Sequence, residues 1–333
     1  MPHGSSYPYT GPRETPVASQ RNDYDVTQSV RTTDPSSVAA EVIRLYHGLF
    51  AQASTEALER AFAQLQRAYD GGDLAYWPCE TEYHDIQHVL DVTLAMARLM
   101  DGYERSRTNG DEKLSPELFI AGALGALFHD FGYLRKRGDH RHRYGAEYTI
   151  GHVSRGAEYL RGYMRELGFD ERLARLAATL LHFTGYERQA ELIHVRAGLP
   201  RKLGQMMGTA DIIAQMSDRC YLEKCRDRLF PEFVLGRLSA ARTGKQLPLF
   251  ASGEELVAKT PGFFQNAMRR LDVQLGHCHE YAAKHFGGDD LYLDAVRKNV
   301  TYAGTPGAVL RRHPPYTLLP EVQPYPRDLV GFQ

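Results

Sequence analysis

Cysteine is scarce in this sequence. Its 333 residues include only four, Cys79, Cys220, Cys225 and Cys278, and no two of them form a CxxC pair. This number is too small for the disulfide framework of a secreted domain. We therefore expect reduced thiols in a cytoplasmic protein.

The sequence also lacks a long hydrophobic run and an excess of charge of one sign. Its longest apolar run, Leu118 to Phe128, is about half of the roughly 20 residues that cross a bilayer. The N-terminus has no apolar segment of the signal-peptide type. The formal net charge of −1 is far from the basic excess of a dedicated nucleic-acid binder. We expect neither a membrane nor a nucleic acid as a dedicated partner.

Alternating apolar and polar residues, the pattern of β-strands, occur over no useful length. Apolar residues instead recur at helical spacing, as in Val42, Leu45 and Leu49. Ser115 followed by Pro116 is typical of a helix start. The sequence predicts an all-α fold, a helical bundle with additional N- and C-terminal helices. Beyond the apolar run, helices are expected at about 146–167, 171–183, 201–228, 262–286 and 289–303.

Composition divides the chain into three parts. Residues 1–36 are rich in Ser, Thr, Pro, Arg and Asp, which predicts a disordered N-terminal segment. Residues 37–303 carry the helical pattern and are expected to form a single domain. From residue 304 onwards the chain is proline-rich, which favours an extended C-terminal tail.

A histidine and an aspartate end the longest apolar run. His129 and Asp130 follow Phe128 directly, and Gly132 comes two residues later. An adjacent imidazole and carboxylate cannot share one face of a continuing helix, but both can turn toward one point where a helix ends. Imidazole nitrogen and carboxylate oxygen are ligands of hard and borderline metal ions, so the pair is a candidate metal site.

Other polar residues that could act with this pair lie at the ends or on the buried faces of predicted helices. Taken singly, each is more often a structural histidine or a paired carboxylate than a metal ligand. Asp211 lies in a nearly uncharged helix, where an unpaired carboxylate would be costly. The full set is His84, His88, His152, His182 and Asp211.

The order His88, His129-Asp130, Asp211 resembles the HD superfamily of metal-dependent phosphohydrolases. The stretch YHDIQHVLDV from Tyr83 is also similar to the YHNxxHAxDV motif of cyclic nucleotide phosphodiesterases. The resemblance covers about residues 83–226 and implies a compact helical bundle with the metal at its centre. Two positions differ: Asp85 replaces the usual Asn, and Tyr133 replaces a histidine of the phosphodiesterase motif HDxxHxGxxN.

The resemblance implies a role for each matched residue. One divalent ion would be held by four ligands. In the dinuclear branch, Asp130 would also bridge this ion to a second one, which the two extra histidines would bind. The metal ligands on this reading are His88, His129, Asp130, Asp211, His152 and His182. The implied cofactor is one or two ions of Zn, Mn, Mg, Ni or Fe. His84 matches the histidine that protonates the leaving oxygen, so His84 and Asp130 are the expected catalytic residues.

We therefore expect hydrolysis of a phosphoester by a metal-activated water. The substrate would be a small phosphorylated molecule, nucleotide-like and including cyclic nucleotides. Basic residues near the site would neutralise its phosphate charge, namely Arg155, Arg135, Lys136 and Arg137. A homodimer is compatible with the sequence.

Two other functions are open at this stage. A small branch of the same superfamily resembles this ligand order and uses two irons to activate O₂, so a diiron oxygenase is one alternative. The other is a non-catalytic helical binding module that retains a structural metal. The basic loop at 135–143 favours a phosphorylated substrate over the oxygenase.

Overall fold

The computed structural model describes residues 23–185, 187–243 and 250–305, with side chains omitted at 238–243. Within these ranges the protein is all-α, as predicted, and the β-bridges Tyr24–Arg31 and Tyr76–Lys136 are isolated pairs outside any strand. No described helix combines the length and the apolar character needed to cross a membrane. The helices are α1 (Pro35–Leu49), α2 (Glu56–Tyr69), α3 (Ile86–Ser106), α4 (Pro116–Phe128), α5 (His152–Glu166), α6 (Glu171–Leu181), α7 (Leu199–Ser217), α8 (Tyr221–Lys224), α9 (Phe230–Thr243), α10 (Gly253–Ala258), α11 (Thr260–Arg269), α12 (Glu280–Phe286) and α13 (Leu291–Ala303).

Helix α3 is the centre of the bundle. From Gln87 to Tyr103 every residue except Asp91 is buried, so the helix has almost no solvent face. Helices α1, α4, α7 and α12 pack around it. A helix that is apolar on nearly all sides can be stable only in such a position.

Helix α4 brings the His-Asp pair to this centre. Ser115 caps it by accepting a hydrogen bond from the Leu118 N–H, and Pro116 occupies its first turn, as the sequence predicted. Two glycines let its neighbours approach closely. A Cβ on Gly122 would lie 2.7 Å from Met100 Sδ of α3, and one on Gly125 would lie 2.6 Å from Met207 Cε of α7.

The helical spacing of apolar residues up to Met100 predicts a helix that begins near Tyr83, whereas α3 begins at Ile86. Asp85 is its N-cap, and the Asp85 carboxylate accepts a hydrogen bond from the His88 backbone N–H at 2.9 Å. His84 therefore lies before the helix rather than within it, one turn before His88. Aspartate and asparagine are about equally good N-caps, so the difference from the usual Asn leaves the cap intact.

The predicted helix at 201–228 is broken. Helix α7 ends at Ser217, and Asp218 is extended, with ψ of 127°. The side chain of Asp218 accepts a hydrogen bond from the Cys220 N–H at 2.7 Å, and Asn299 donates to the carbonyl oxygens of Met216 and Asp218. These contacts supply hydrogen-bond partners for backbone groups at the end of α7. Helix α8, a π-helical turn (Cys225–Leu229) and α9 follow.

Two further predicted helices differ in extent. The segment 146–167 contains a 3₁₀ turn at Gly145–Tyr148 before α5 begins at His152. The segment 262–286 is interrupted between the π-helical turn at Arg270–Gln274 and α12. There Gly276 and His277 adopt left-handed φ values of 60° and 56°. A left-handed pair cannot continue a right-handed helix.

Part of the predicted disordered N-terminal segment is folded. Asp25 accepts a hydrogen bond from Arg98 Nη2 of α3 at 2.6 Å, and both side chains are only 2% exposed. Asp34 then caps α1. Residues 23–36 therefore pack against the helices. Asp25 pairs there with the charge of Arg98, which would be costly to bury alone. Residues 1–22 and all but the first two residues of the predicted tail lie outside the described ranges.

Candidate metal centre

Three of the sequence-predicted ligands converge on one buried point, and the fourth, Asp211, lies at its edge. Asp130 Oδ2 lies 3.2 Å from His88 Nε2 and 3.1 Å from His129 Nε2. The two Nε2 atoms are 3.3 Å apart. Asp211 Oδ1 is 3.6 Å from His88 Nε2 and 3.9 Å from His129 Nε2. Donors bonded to one divalent ion at about 2.0–2.2 Å stand roughly 3–3.5 Å apart, so this spacing fits a shared ion.

The local fold explains the convergence. His129 caps the C-terminus of α4, and Asp130 leads into a 3₁₀ turn at Phe131–Tyr133, which turns its side chain back toward the helix end. His88 is in the first turn of α3, and Asp211 lies within α7. The site is therefore carried by three packed helices rather than by a loop.

Hydrogen bonds prepare these donors for a cation. The Nδ1–H of His129 donates to the Ala126 carbonyl oxygen at 2.7 Å, which leaves the Nε2 lone pair facing the cluster. Asp130 Oδ2 is buried and has no hydrogen-bond partner of good geometry among the described residues. Two imidazole nitrogens and a carboxylate oxygen that face one another at these distances fit a metal ion.

The charges of the cluster are strongly coupled. Burial lowers the pKa of His129, but the Asp130 carboxylate outweighs it and raises this pKa to about 9. Burial likewise raises the pKa of Asp130, but His129 and His84 hold it well below its usual value. Without an ion, the cluster thus retains a proton, and a bound metal would have to displace it.

His152 lies beside the other oxygen of Asp130. Its Nε2 is 3.4 Å from Asp130 Oδ1, and its Nδ1–H donates to the Thr149 carbonyl oxygen at 2.8 Å. Burial lowers the pKa of His152, which favours the neutral, ligating form. Asp130 therefore presents one oxygen to the first cluster and the other to His152, the arrangement needed to bridge two ions.

His182 is placed differently. It caps the C-terminus of α6, and its buried Nδ1 has no hydrogen-bond partner among the described residues. Burial and the charge of Arg188 lower the pKa of His182, and Glu187 raises it by less. Asp130 raises the pKa of His152 but is not among the groups that shift the pKa of His182. The structure thus brings five of the six predicted ligands together and leaves His182 unpaired at the end of its helix.

His84 has a partner that sequence analysis missed. Its Nδ1 is 2.5 Å from Glu232 Oε2 of α9, and Glu232 Oε1 also accepts the Tyr83 N–H at 2.7 Å. Glu232 is 1% exposed. Burial lowers the pKa of His84, but Glu232 and Asp130 outweigh it and raise this pKa to about 9. His84 is therefore an imidazolium at neutral pH.

Tyr133 packs against both flanking histidines. Its ring stacks on His84 with centroids 4.4 Å apart and on His152 with centroids 4.3 Å apart. The His84 and His152 rings are themselves 6.3 Å apart, so the three rings form one contact group. Tyr133, the residue that departs from the phosphodiesterase motif, therefore supports both histidines.

The predicted phosphate-binding residues have other contacts. Arg155 donates to the carbonyl oxygens of Gly132 and Leu134 at 2.8 and 2.9 Å, so it braces the turn after Asp130. Arg135 forms a two-point ion pair with Glu80. Arg137 lies over the Trp77 ring at 4.5 Å. Lys136 is exposed and makes no ion pair with the described residues.

Comparisons with known proteins give little beyond this geometry. No family model matches the chain, and no curated protein matches it. Among solved structures, it is similar to the phosphodiesterase domain of the RhoPDE fusion protein from the choanoflagellate Salpingoeca rosetta, at 15% sequence identity and a TM-score of 0.48. The match covers 85% of this chain and 94% of the other. At this distance, any functional assignment depends on the site itself.

Proposed function

We propose that this protein is a metal-dependent phosphohydrolase of the HD type that cleaves a phosphoester in a small, nucleotide-like substrate. The observation that carries the proposal is the buried convergence of His88, His129 and Asp130, whose donor atoms are spaced as ligands of one ion, with Asp211 Oδ1 3.6 and 3.9 Å from the two imidazoles. An ion of Zn, Mn, Mg, Ni or Fe held there would polarise a phosphoryl oxygen and lower the pKa of a bound water.

His84 is the proposed general acid. Because its Nδ1 is bonded to Glu232, Nε2 is the nitrogen left to donate a proton to the leaving oxygen. Its ring centroid is 5.7 Å from that of His88, so one substrate group could contact both the acid and the metal ligands. A pKa of about 9 keeps the proton in place at neutral pH.

The proposed roles of the basic residues follow from their contacts. Lys136 is the one best placed to bind substrate phosphate directly, because it is exposed and has no ion pair with described residues. Arg135 and Arg137 would contribute charge at the rim while paired with Glu80 and Trp77. Arg155 would act by fixing the turn that orients Asp130.

The position of His152 supports a second ion and therefore also the oxygenase alternative. With His152 beside Asp130 Oδ1, the site could hold two ions bridged by Asp130. His182, which has an unpartnered buried nitrogen, is the proposed further ligand of that second ion. Two irons and O₂ consumption would favour the oxygenase, and phosphoester turnover would favour the hydrolase. Bound metal with neither activity would indicate the binding module.

The role of His84 can be tested apart from metal binding. We expect His84→Ala to keep the bound metal and to lower kcat on a phosphodiester with an alkoxide leaving group, such as a 3′,5′-cyclic nucleotide, by about 10²–10⁴-fold. Turnover of bis(p-nitrophenyl) phosphate should fall much less, because its leaving group needs no protonation at neutral pH. The control is His47→Ala, an exposed histidine at the end of α1. Full activity of the His84 variant would contradict the general-acid assignment, and loss of its metal would show a structural role instead.

A further inference from the structure

A second group of metal-ligand side chains lies at the break before α12. Asp272 belongs to the π-helical turn at Arg270–Gln274, and His277 and His279 follow it, with His279 at the N-cap of α12. One donor atom from each of the three residues lies within 4.8 Å of the others. None of these residues takes part in the site built on His129 and Asp130.

The donor atoms of this group are farther apart than the two atoms of a well-formed hydrogen bond. Asp272 Oδ1 is 3.4 Å from His277 Nδ1 and 4.0 Å from His279 Nε2. Other histidine–carboxylate pairs in the same chain are much shorter: His285–Asp101 is 2.5 Å and His142–Asp139 is 2.8 Å. The Asp272–His277 distance falls in the roughly 3–3.5 Å that separates donors on one ion, and the Asp272–His279 distance is about 0.5 Å beyond it, so the ring would move slightly toward a bound ion.

His279 supplies a buried imidazole to the group. The residue is only 8% exposed, and its Nε2 faces the Asp272 carboxylate at 4.0 Å, too long for a hydrogen bond. Nε2 is therefore the nitrogen that could bind an ion shared with Asp272. Nδ1, which has no hydrogen-bond partner among the described residues, lies on the other side of the ring.

The backbone turns so that both histidines reach one carboxylate. Gly276 and His277 adopt left-handed φ values of 60° and 56°, and the His277 N–H donates to the Leu271 carbonyl oxygen at 3.0 Å. A side chain with positive φ is uncommon outside glycine, although His tolerates it better than most residues. This reversal places His277 beside Asp272 and lets His279 begin the next helix.

We propose that Asp272, His277 and His279 form a second metal site that binds a borderline divalent ion such as Zn²⁺, Ni²⁺ or Cu²⁺. Two imidazole nitrogens and one carboxylate oxygen suit these ions, and solvent completes the coordination because Asp272 and His277 are partly exposed. Mg²⁺ and Ca²⁺, which prefer all-oxygen ligands, are poor candidates.

The position of the site gives it a structural role. Helix α12 packs so tightly on α3 that a Cβ on Gly102 would lie 1.9 Å from the Tyr281 carbonyl oxygen. An ion at the start of α12 would lock this turn against the core helix. Gly102 is 14 residues along α3 from His88, roughly 20 Å away at the helical rise, so the two sites are separate.

Zinc stoichiometry tests the proposal without any assay of activity. The variant is His277→Asn, which removes the imidazole at a position whose side chain is 58% exposed, and Asn readily adopts positive φ. The control is His47→Asn, at an exposed histidine on α1. Full-length proteins would be dialysed to equilibrium against micromolar Zn²⁺ and analysed for zinc per chain.

The expected result is one zinc fewer per chain in His277→Asn than in the wild type and the control. Zinc should also raise the unfolding temperature of the wild type by more than it raises that of the variant. Equal zinc content in all three proteins would overturn the proposal. Because the first cluster is unchanged in every protein, this result is independent of whether the protein is a phosphohydrolase.

Discussion

At the scale of single residues, the site is defined by how each donor is held. A backbone carbonyl orients His129, another orients His152, and Glu232 orients His84. These supporting contacts decide which ring nitrogen faces the cluster: Nε2 of His129 and of His152 toward Asp130, and Nε2 of His84 away from Glu232. His84, paired with Glu232, is the proposed acid.

The charge on Glu232 should set the upper pH limit of catalysis. Because Glu232 raises the pKa of His84, the acid should stay protonated at neutral pH, and the rate should fall as the pH rises through that raised pKa. In Glu232→Gln the largest raising influence is lost, so the falling limb should move toward lower pH. A pH–rate profile measures this, with the exposed Glu59→Gln as the control. An unmoved limb would mean that His84 is not the titrating acid.

At the scale of elements, the metal centre depends on how closely the turn after Asp130 meets α5. Gly132 lies against the start of that helix, and a Cβ there would be 1.8 Å from the His152 carbonyl oxygen. This contact fixes the distance between the Asp130 carboxylate and the His152 ring. The conflict is with backbone, which cannot move aside as a flexible side chain could.

Gly132→Ala should therefore damage both stability and metal binding. We expect a loss of at least about 3 kcal/mol in the free energy of unfolding, together with weaker metal binding. Gly138→Ala is a matched control, because a Cβ there meets nothing within 4 Å. Urea unfolding and metal titration measure the two effects. Equal stability of the two variants would contradict the described packing.

The N-terminal segment offers a second test of packing between elements. Asp25→Ala would leave Arg98 charged and buried, so we expect a loss of about 3 kcal/mol in the free energy of unfolding. The control is Asp23→Ala, whose ion pair with Arg31 is partly exposed. If urea unfolding shows the same stability for both, residues 23–34 do not pack as described.

At the scale of the whole molecule, the sequence predicted the all-α fold, and it singled out polar residues that the structure brings close together. Local patterns were sufficient there: an apolar run that ends in His129 and Asp130, a proline after a capping serine, and helical spacing of apolar residues. Helix breaks were not predicted at 218 and 276, because a side-chain cap and a left-handed backbone decide them.

Contacts between distant parts of the chain were also beyond local patterns. Glu232 is 148 residues from His84 in sequence. A signal existed, since Glu232 is the only charged residue in the stretch LFPEFVL from Leu229 to Leu235. Arg98 gives a similar signal. A buried arginine within a mostly apolar helix needs a carboxylate partner from another part of the chain, and Asp25 is that partner.

Bound metal and phosphoester turnover, measured together in the wild type and in Asp130→Ala, test the central claim most directly. The background should be His277→Asn, so that ions at the second proposed site are not counted. We predict one or two ions of zinc, manganese, nickel, magnesium or iron per chain with turnover of a phosphoester, and loss of both in the Asp130 variant. An Asp130→Ala protein that keeps its metal and full activity would contradict the claim, as would a wild type that binds no metal after reconstitution.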